Sequence, residues 1–164
     1  MKTGLFIGRF QPFHKGHLHL ILKAAKEVDL LYIGIGSSNK TNKDNPFPTS
    51  LRKKFINATL KNKIKNYKII LVPDFPKDKD WSAYLEKKIK PISILYISDK
   101  KTSHEYWVIK CFKDKCRIKK FKYYKKINAT DIRERIRTGK RWKHLVPEEV
   151  IEILTLAHSA RVAL

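Results

Sequence analysis

Short apolar runs alternate along this chain with segments in which apolar residues recur every three to four positions. The runs predict buried strands, and the periodic segments predict amphipathic helices. Strands are expected near residues 3–8, 30–36, 68–72, 92–97 and 116–124, and helices near 18–27, 49–61, 80–89, 103–112, 129–137 and 148–158. This alternation indicates an α/β fold that is doubly wound around a mainly parallel sheet.

The second run, residues 30–36, is almost wholly apolar, which is typical of a central parallel strand covered on both faces. The helix that follows it is expected to begin at a cap formed by Thr49 or Ser50. The chain has 164 residues, a length that suits one domain over residues 1–164. Its C-terminal part is expected to be a helical segment from about residue 129.

The turn after the first strand, residues 8–17, which we call the histidine turn, concentrates groups that suit an anion. His14 and His17 fall in the first helical turn, where free N–H groups and the helix dipole favour negative charge. Arg9 adds a forked cation, and Gly8 lets a bulky anion approach the backbone. The pattern favours a phosphate site over an ordinary structural turn, or over half of a metal site that would need further ligands.

Polar residues also follow the next two strands, at the sheet edge where open α/β sheets bind ligands. Gly36 and Ser37 end the second strand, and Asp74 follows the third. Trp81 stands seven residues after Asp74, at the start of a helix. Its indole is either core packing or a surface on which a flat cationic ring stacks.

A further anion-binding helix start is predicted near residue 129. Asn128 or Thr130 can cap this helix, which Gly139 ends. Arg133 is then expected in its first turn, beside a partly positive helix end.

The chain carries 37 Lys and Arg against 15 Asp and Glu, a formal charge of +22. Such a charge attracts polyanions, but a general lysine bias gives the same count. Residues 110–126 carry many of these positive charges. The segment is either a solvated edge strand or an RNA-binding surface. Apolar runs are too short to span a membrane, and Cys111 and Cys116 are expected to be free thiols in the cytoplasm.

The histidine turn resembles the opening motif of archaeal-type nicotinamide-nucleotide adenylyltransferases, members of the nucleotidylyltransferase superfamily with a His-x-Gly-His signature. It reads Gly8-Arg9-Phe10-Gln11-Pro12-Phe13-His14-Lys15-Gly16-His17. Asp74 and Trp81 keep the family's spacing, and Thr130 and Arg133 match a Ser/Gly-x-Thr-x-x-Arg motif. The resemblance covers almost the whole chain and implies the Rossmann-like nucleotidylyltransferase fold.

The resemblance implies transfer of the adenylyl group of ATP to nicotinamide mononucleotide, forming NAD and pyrophosphate. Magnesium or another divalent metal is expected with ATP, without metal ligands from the protein. The catalytic residues implied are Arg9, His14, His17 and Arg133. The substrate-binding residues implied are Gly8, Phe10, Gly36, Ser37, Arg52, Asp74, Trp81, Asp99 and Thr130, with Asp74 and Trp81 at the nicotinamide and Asp99 near the adenine.

Two other interpretations stay open at this point. A sister adenylyltransferase would use another phosphorylated acceptor, such as nicotinate mononucleotide. A non-enzymatic nucleic-acid-binding protein on the same fold would explain the charge of +22. We expect ATP and nicotinamide mononucleotide as partners, a homo-oligomer and no membrane contact; nucleic acid is not the favoured partner.

Overall fold

The computed structural model describes residues 1–89, 91–99, 103–122 and 124–162. Its strands are β1 (Thr3–Gly8), β2 (Leu30–Ile35), β3 (Tyr67–Leu71), β4 (Ile94–Ser98) and β5 (Arg117–Phe121). Its helices are α1 (Lys15–Ala25), α2 (Thr49–Leu60), α3 (Asp78–Lys88), α4 (Ser103–Phe112), α5 (Ala129–Arg137) and α6 (Glu148–Val162), with a 3-10 turn at Lys143–Leu145. The predicted alternation of strands and helices is confirmed.

The strands form one five-stranded sheet in the order β3-β2-β1-β4-β5, and every neighbouring pair is parallel. The chain moves outward from β1 to β3 and then returns to the other side of β1 with β4. Strand order therefore reverses next to β1, and the carboxyl ends of β1 and β4 border the crevice where such sheets bind ligands.

Helices cover both faces of the sheet, as a doubly wound fold requires. On one face, Ile21, Phe55 and Val150 from α1, α2 and α6 share one buried core with β2. On the other face, Leu85 of α3 and Phe112 of α4 pack over the central strands. The predicted fold class is confirmed.

The start of α2 differs from the prediction. Its N-cap is Pro48, in an extended conformation, and no side chain caps the helix. Thr49 is the first helical residue, and its Oγ1 donates to the Ser38 carbonyl at 2.7 Å instead. Proline fixes the backbone angle that precedes the helix, so the chain enters α2 without a polar cap.

The basic segment 110–126 includes the edge strand β5, one of the two arrangements predicted for it. Some of its lysines have acidic partners: Lys119 pairs with Glu27, and Lys115 with Glu86. Cys111 and Cys116 are free thiols, as expected. Among the described residues, no helix combines the length and apolar character that crossing a membrane requires.

Candidate active site

A cavity of about 630 Å³ opens at the carboxyl edge of the sheet, over the ends of β1 and β4. Its floor and walls come from the histidine turn, the ends of β2 and β3, and the start of α5. Of the predicted site residues, those that line it are Gly8, Arg9, Phe10, His14, His17, Ser37, Asp74, Thr130 and Arg133. Segments far apart in sequence thus meet at one site.

The two histidines fix each other at the start of α1. His14 is the N-cap, and its Nδ1 accepts the backbone N–H of His17 at 3.3 Å. The His17 Nδ1 accepts the backbone N–H of His14 at the same distance, and the rings stack with centroids 3.6 Å apart. A ring nitrogen that accepts carries no proton, so each neutral imidazole holds its proton on Nε2.

The surroundings of His17 favour its neutral form. Desolvation within the protein and then the adjacent His14 hold the pKa of His17 well below its usual value of 6.5. A neutral imidazole with its proton on Nε2 is a hydrogen-bond donor toward any anion in the cavity, because Nδ1 is already occupied. The pair therefore presents donors to a phosphate oxygen.

Gly16 is required by the close approach of the His14 ring. A Cβ atom at Gly16 would lie 2.9 Å from Cε1 and 3.0 Å from Nδ1 of His14. Such contacts are too short for any side chain, so a larger residue would push the imidazole out of its position. The glycine between the histidines thus has a packing role that complements the two donors.

Phe10 packs against the ring of His17 and supports its position. It has a left-handed backbone, φ 52°, and is 1% exposed. Its ring meets His17 edge-on at 4.8 Å and also packs against Phe13. A Cβ atom at Gly8 would lie 3.0 Å from that ring, so a larger residue where β1 ends would need the Phe10 ring to shift.

Helix α5 brings Arg133 to the histidine turn. Asn128 caps the helix by accepting the N–H of Asp131 at 2.8 Å. Arg133 is the fifth helical residue, just past the first turn in which it was predicted, and its Nη1 donates to the Gln11 carbonyl at 2.8 Å. Its Nη2 donates to Thr130 at 3.4 Å.

Burial and then the nearby Arg9 lower the pKa of the Arg133 guanidinium, while Asp44 opposes this effect. Two arginines therefore face the same space and repel each other. A polyanion bound between them relieves this repulsion, since it supplies the countercharge.

Asp74 forms a small polar network on the β2–β3 side of the cavity. Ser37 donates to Asp74 Oδ1 at 3.0 Å, and Lys40 pairs with Oδ2 at 2.8 Å. The Asn39 side chain accepts the Asp74 N–H at 3.0 Å. The carboxylate is thus held in place at the cavity wall.

The described lining of the cavity does not include four predicted residues: Gly36, Arg52, Trp81 and Asp99. Trp81 is 4% exposed and meets Phe112 edge-on in the core, which is the packing alternative of the sequence analysis. Arg52 is 0% exposed and lies beneath the turns. The Gly36 and Asp99 N–H groups donate to the carbonyls of Gly8 and Phe121, at the sheet edge.

Two polar contacts were not predicted. Both ends of the Gln11 side chain bond to the Phe47 backbone at 2.9 Å, which ties the histidine turn to the loop before α2. Lys40 pairs with Asp74, as described above. Gln11 belongs to the histidine turn, so the sequence predicted its place near the cavity. It did not predict the partner of Gln11, which lies in a distant loop. Lys40 stands in a polar loop without any pattern that marks it.

Known proteins resemble this chain over most of its length. Residues 5–135 match the cytidylyltransferase-like family. The chain is 37% identical over 152 residues to the nicotinamide-nucleotide adenylyltransferase of Methanococcus maripaludis strain C6, a match that covers 90% of this chain and 85% of that protein. The chain belongs to the nicotinamide-nucleotide adenylyltransferase family. Members of this family are nucleotidyltransferases.

Two further proteins are similar to most of this chain at lower sequence identity. The Pyrococcus furiosus nicotinamide-nucleotide adenylyltransferase is 32% identical over 162 residues, which cover 94% of this chain and 83% of that protein. A solved structure, the bifunctional NMN adenylyltransferase/ADP ribose pyrophosphatase of Francisella tularensis with AMP and a manganese ion, superposes with a TM-score of 0.75 at 30% identity. That match covers 88% of this chain but 44% of the bifunctional protein, so this chain spans less than half of it.

Proposed function

We propose that this chain transfers the adenylyl group of ATP to nicotinamide mononucleotide, forming NAD and pyrophosphate. The observation that carries the proposal is the convergence of His14, His17 and Arg133 on one cavity at the point where strand order reverses. Their donors suit phosphate oxygens, and family membership supplies the reaction.

In the proposed reaction, a phosphate oxygen of the mononucleotide attacks the α-phosphorus of ATP. A new P–O bond forms in line with the bond between the α-phosphorus and pyrophosphate. That bond breaks, and pyrophosphate leaves with its electron pair. Negative charge builds on the α-phosphate and on the departing pyrophosphate. The Nε2–H groups of His14 and His17 and the guanidinium of Arg133 stabilise that charge, while Arg9 holds the polyphosphate.

We place the two substrates on opposite sides of β1. The apolar wall beside β4, which includes Tyr96 and Val108, suits the adenine of ATP, with Asp99 at the adjoining strand end. The network around Asp74 on the β2–β3 side suits the acceptor, whose ribose and carboxamide need polar partners. The two phosphate groups then meet over the histidine turn.

The metal in this proposal belongs to ATP. Among the described residues, no group of three or more His, Cys, Asp or Glu side chains is arranged to hold a metal ion. When bound with ATP, magnesium or another divalent ion would be held chiefly by phosphate oxygens and water and would neutralise charge on the phosphates. The protein supplies the donors described above.

Three further proposals accompany this function. Residues 1–164 act as one nucleotidylyltransferase domain, and the active form is a homo-oligomer. The protein works in the cytoplasm, where free thiols such as Cys111 and Cys116 stay reduced.

A pyrophosphate-release assay tests the proposed function. The purified protein should release pyrophosphate from ATP only with a mononucleotide and a divalent metal. Nicotinate mononucleotide should be the second-best acceptor, because Lys40 beside Asp74 offsets the charge that would repel its carboxylate. Folded protein that binds RNA but releases no pyrophosphate with either acceptor would contradict the proposal.

A further inference from the structure

Arg52 of α2 is a fully buried cation directly beneath the two turns that border the cavity. It is 0% exposed, and its Nη1 donates to the carbonyls of Arg9, at 3.0 Å, and Gly36, at 2.7 Å. Its Nη2 donates to the Ser37 carbonyl at 3.1 Å and to Thr49 Oγ1 at 2.8 Å. Within the described chain no carboxylate forms an ion pair with it, and its Nε has no hydrogen-bond partner.

The two carbonyls that share Nη1 belong to equivalent places in the fold. Each precedes a residue with a left-handed backbone just past the end of a central strand: Phe10, φ 52°, after β1 and Ser37, φ 47°, after β2. A trans peptide group is planar, with its N–H opposite to its C=O. Because both carbonyls accept from Arg52, they point toward the guanidinium, and the N–H groups of Phe10 and Ser37 in the same peptide groups point away from it.

Phe10 and Ser37 both line the cavity. Neither of their N–H groups donates to an acceptor in the part of the chain that the structure describes. The next peptide group behaves differently: its Ser37 carbonyl binds Nη2, but its Ser38 N–H donates to the Val72 carbonyl at 3.1 Å. The two peptide groups held by Nη1 are therefore the ones that keep a donor available.

We propose that Arg52 is a positioning residue that turns the Phe10 and Ser37 N–H groups toward a substrate phosphate. Successive or converging backbone N–H groups form anion sites, and left-handed residues are typical of them. The buried charge also strengthens both donors, because it polarises the carbonyls of the same peptide groups. This inference rests on the proposed function, since the phosphate comes from ATP or from the mononucleotide.

Amide NMR on the unmodified protein tests the donors without any variant. On addition of ATP, nicotinamide mononucleotide or inorganic pyrophosphate, the amide proton signals of Phe10 and Ser37 should move downfield. Adenosine and nicotinamide riboside, which lack phosphate, should leave them in place. Comparison of the two nucleotides shows which phosphate is bound. Equal shifts with and without phosphate would overturn the proposal.

The variants Arg52→Lys and Arg52→Met test the positioning role. The measured quantity is the ratio of affinities for each nucleotide and its phosphate-free nucleoside. Loss of a charge-assisted contact corresponds to about tenfold in affinity, so this ratio should fall about tenfold for at least one substrate, while nucleoside binding stays the same. A lysine cannot reach both carbonyls as a fork does, and Arg52→Lys should not restore the ratio.

Two control variants separate this role from general destabilisation. Thr49→Val removes the hydroxyl partner of Nη2 and keeps both carbonyls on Nη1. Lys54→Met removes an exposed charge from the same helix. Both should keep the wild-type ratio even if Thr49→Val melts earlier. If a folded Arg52 variant keeps the ratio, the inference is wrong, whereas missing pyrophosphate release in the unmodified protein contradicts the proposed function instead.

Discussion

The histidine-turn side of the cavity, where we propose that phosphate binds, and the Asp74 side, where we propose that the acceptor binds, are built in different ways. We call them the phosphate side and the acceptor side. On the phosphate side, four consecutive residues, 14–17, carry both donors and fix them by mutual contacts. On the acceptor side, two separate side chains, Ser37 and Lys40, hold the Asp74 carboxylate, and Trp81 is buried in the core. A local motif fixes its own geometry, whereas the role of a single aromatic residue depends on what the rest of the chain places around it.

The largest expected effect is on stability, from Trp81→Ala. Because the indole is 4% exposed and packs against Phe112, its removal should lower the free energy of unfolding by about 3–5 kcal/mol. Thermal melting measures the loss, and Trp81→Phe should recover much of it. A normal melting temperature with a raised Michaelis constant for the mononucleotide would instead indicate that Trp81 stacks on the nicotinamide.

On the phosphate side, His14→Ala or His17→Ala should reduce turnover by roughly 10²–10³, the scale of one lost transition-state donor. Arg133→Lys should also be impaired, because a point charge does not reproduce the fork that reaches Gln11 and the phosphates. His144→Ala is the matched control, since this histidine is exposed, is not part of the described cavity lining, and meets the histidine turn only through its backbone carbonyl, which accepts from Lys15 Nζ at 2.9 Å. Near-normal turnover in folded His14 and His17 variants would show that the histidine turn has only a structural role.

Gly16→Ala changes the position of a donor without removing it. The new methyl group would meet the His14 ring at 2.9 Å and displace it, and misplacement by about 1 Å can cost about 10² in rate. Alanine favours helix more than glycine does, so the variant should fold normally. Steady-state kinetics beside Lys15→Ala, at the preceding exposed position, measures the effect. Unchanged turnover would mean that the ring does not need its observed position.

The smallest effect concerns acid stability. The lowered pKa of His17 means that the unfolded chain takes up a proton near pH 6.5 while the folded protein does not. Stability should therefore fall as the pH drops from about 6.5 toward the folded pKa, by at most about 1.4 kcal/mol per pH unit. Urea unfolding at several pH values measures this slope. His17→Asn should flatten it and His144→Asn should not; an equal slope in all three proteins would contradict the lowered pKa.

The sequence predicted most of the fold because its apolar runs and helical periods are strong, local signals. It also placed His14, His17 and Arg133 at one cavity, since strand ends and helix starts of an α/β fold share an edge. It assigned Arg52 to the substrate because the arginine stands in a family-like segment. Its burial beneath two turns arises from contacts with residues up to 43 positions away, which no local pattern reveals.

The most direct test of the account is the tautomeric state of the two histidines, measured by long-range proton–nitrogen correlation NMR at neutral pH. The account requires both His14 and His17 to be neutral, with the proton on Nε2 and Nδ1 unprotonated, before any substrate is added. Phosphate ligands should then perturb Nε2 and leave Nδ1 as it is. A proton on Nδ1 of either ring, or a charged imidazolium at His17, would contradict a site whose donors are set by the fold.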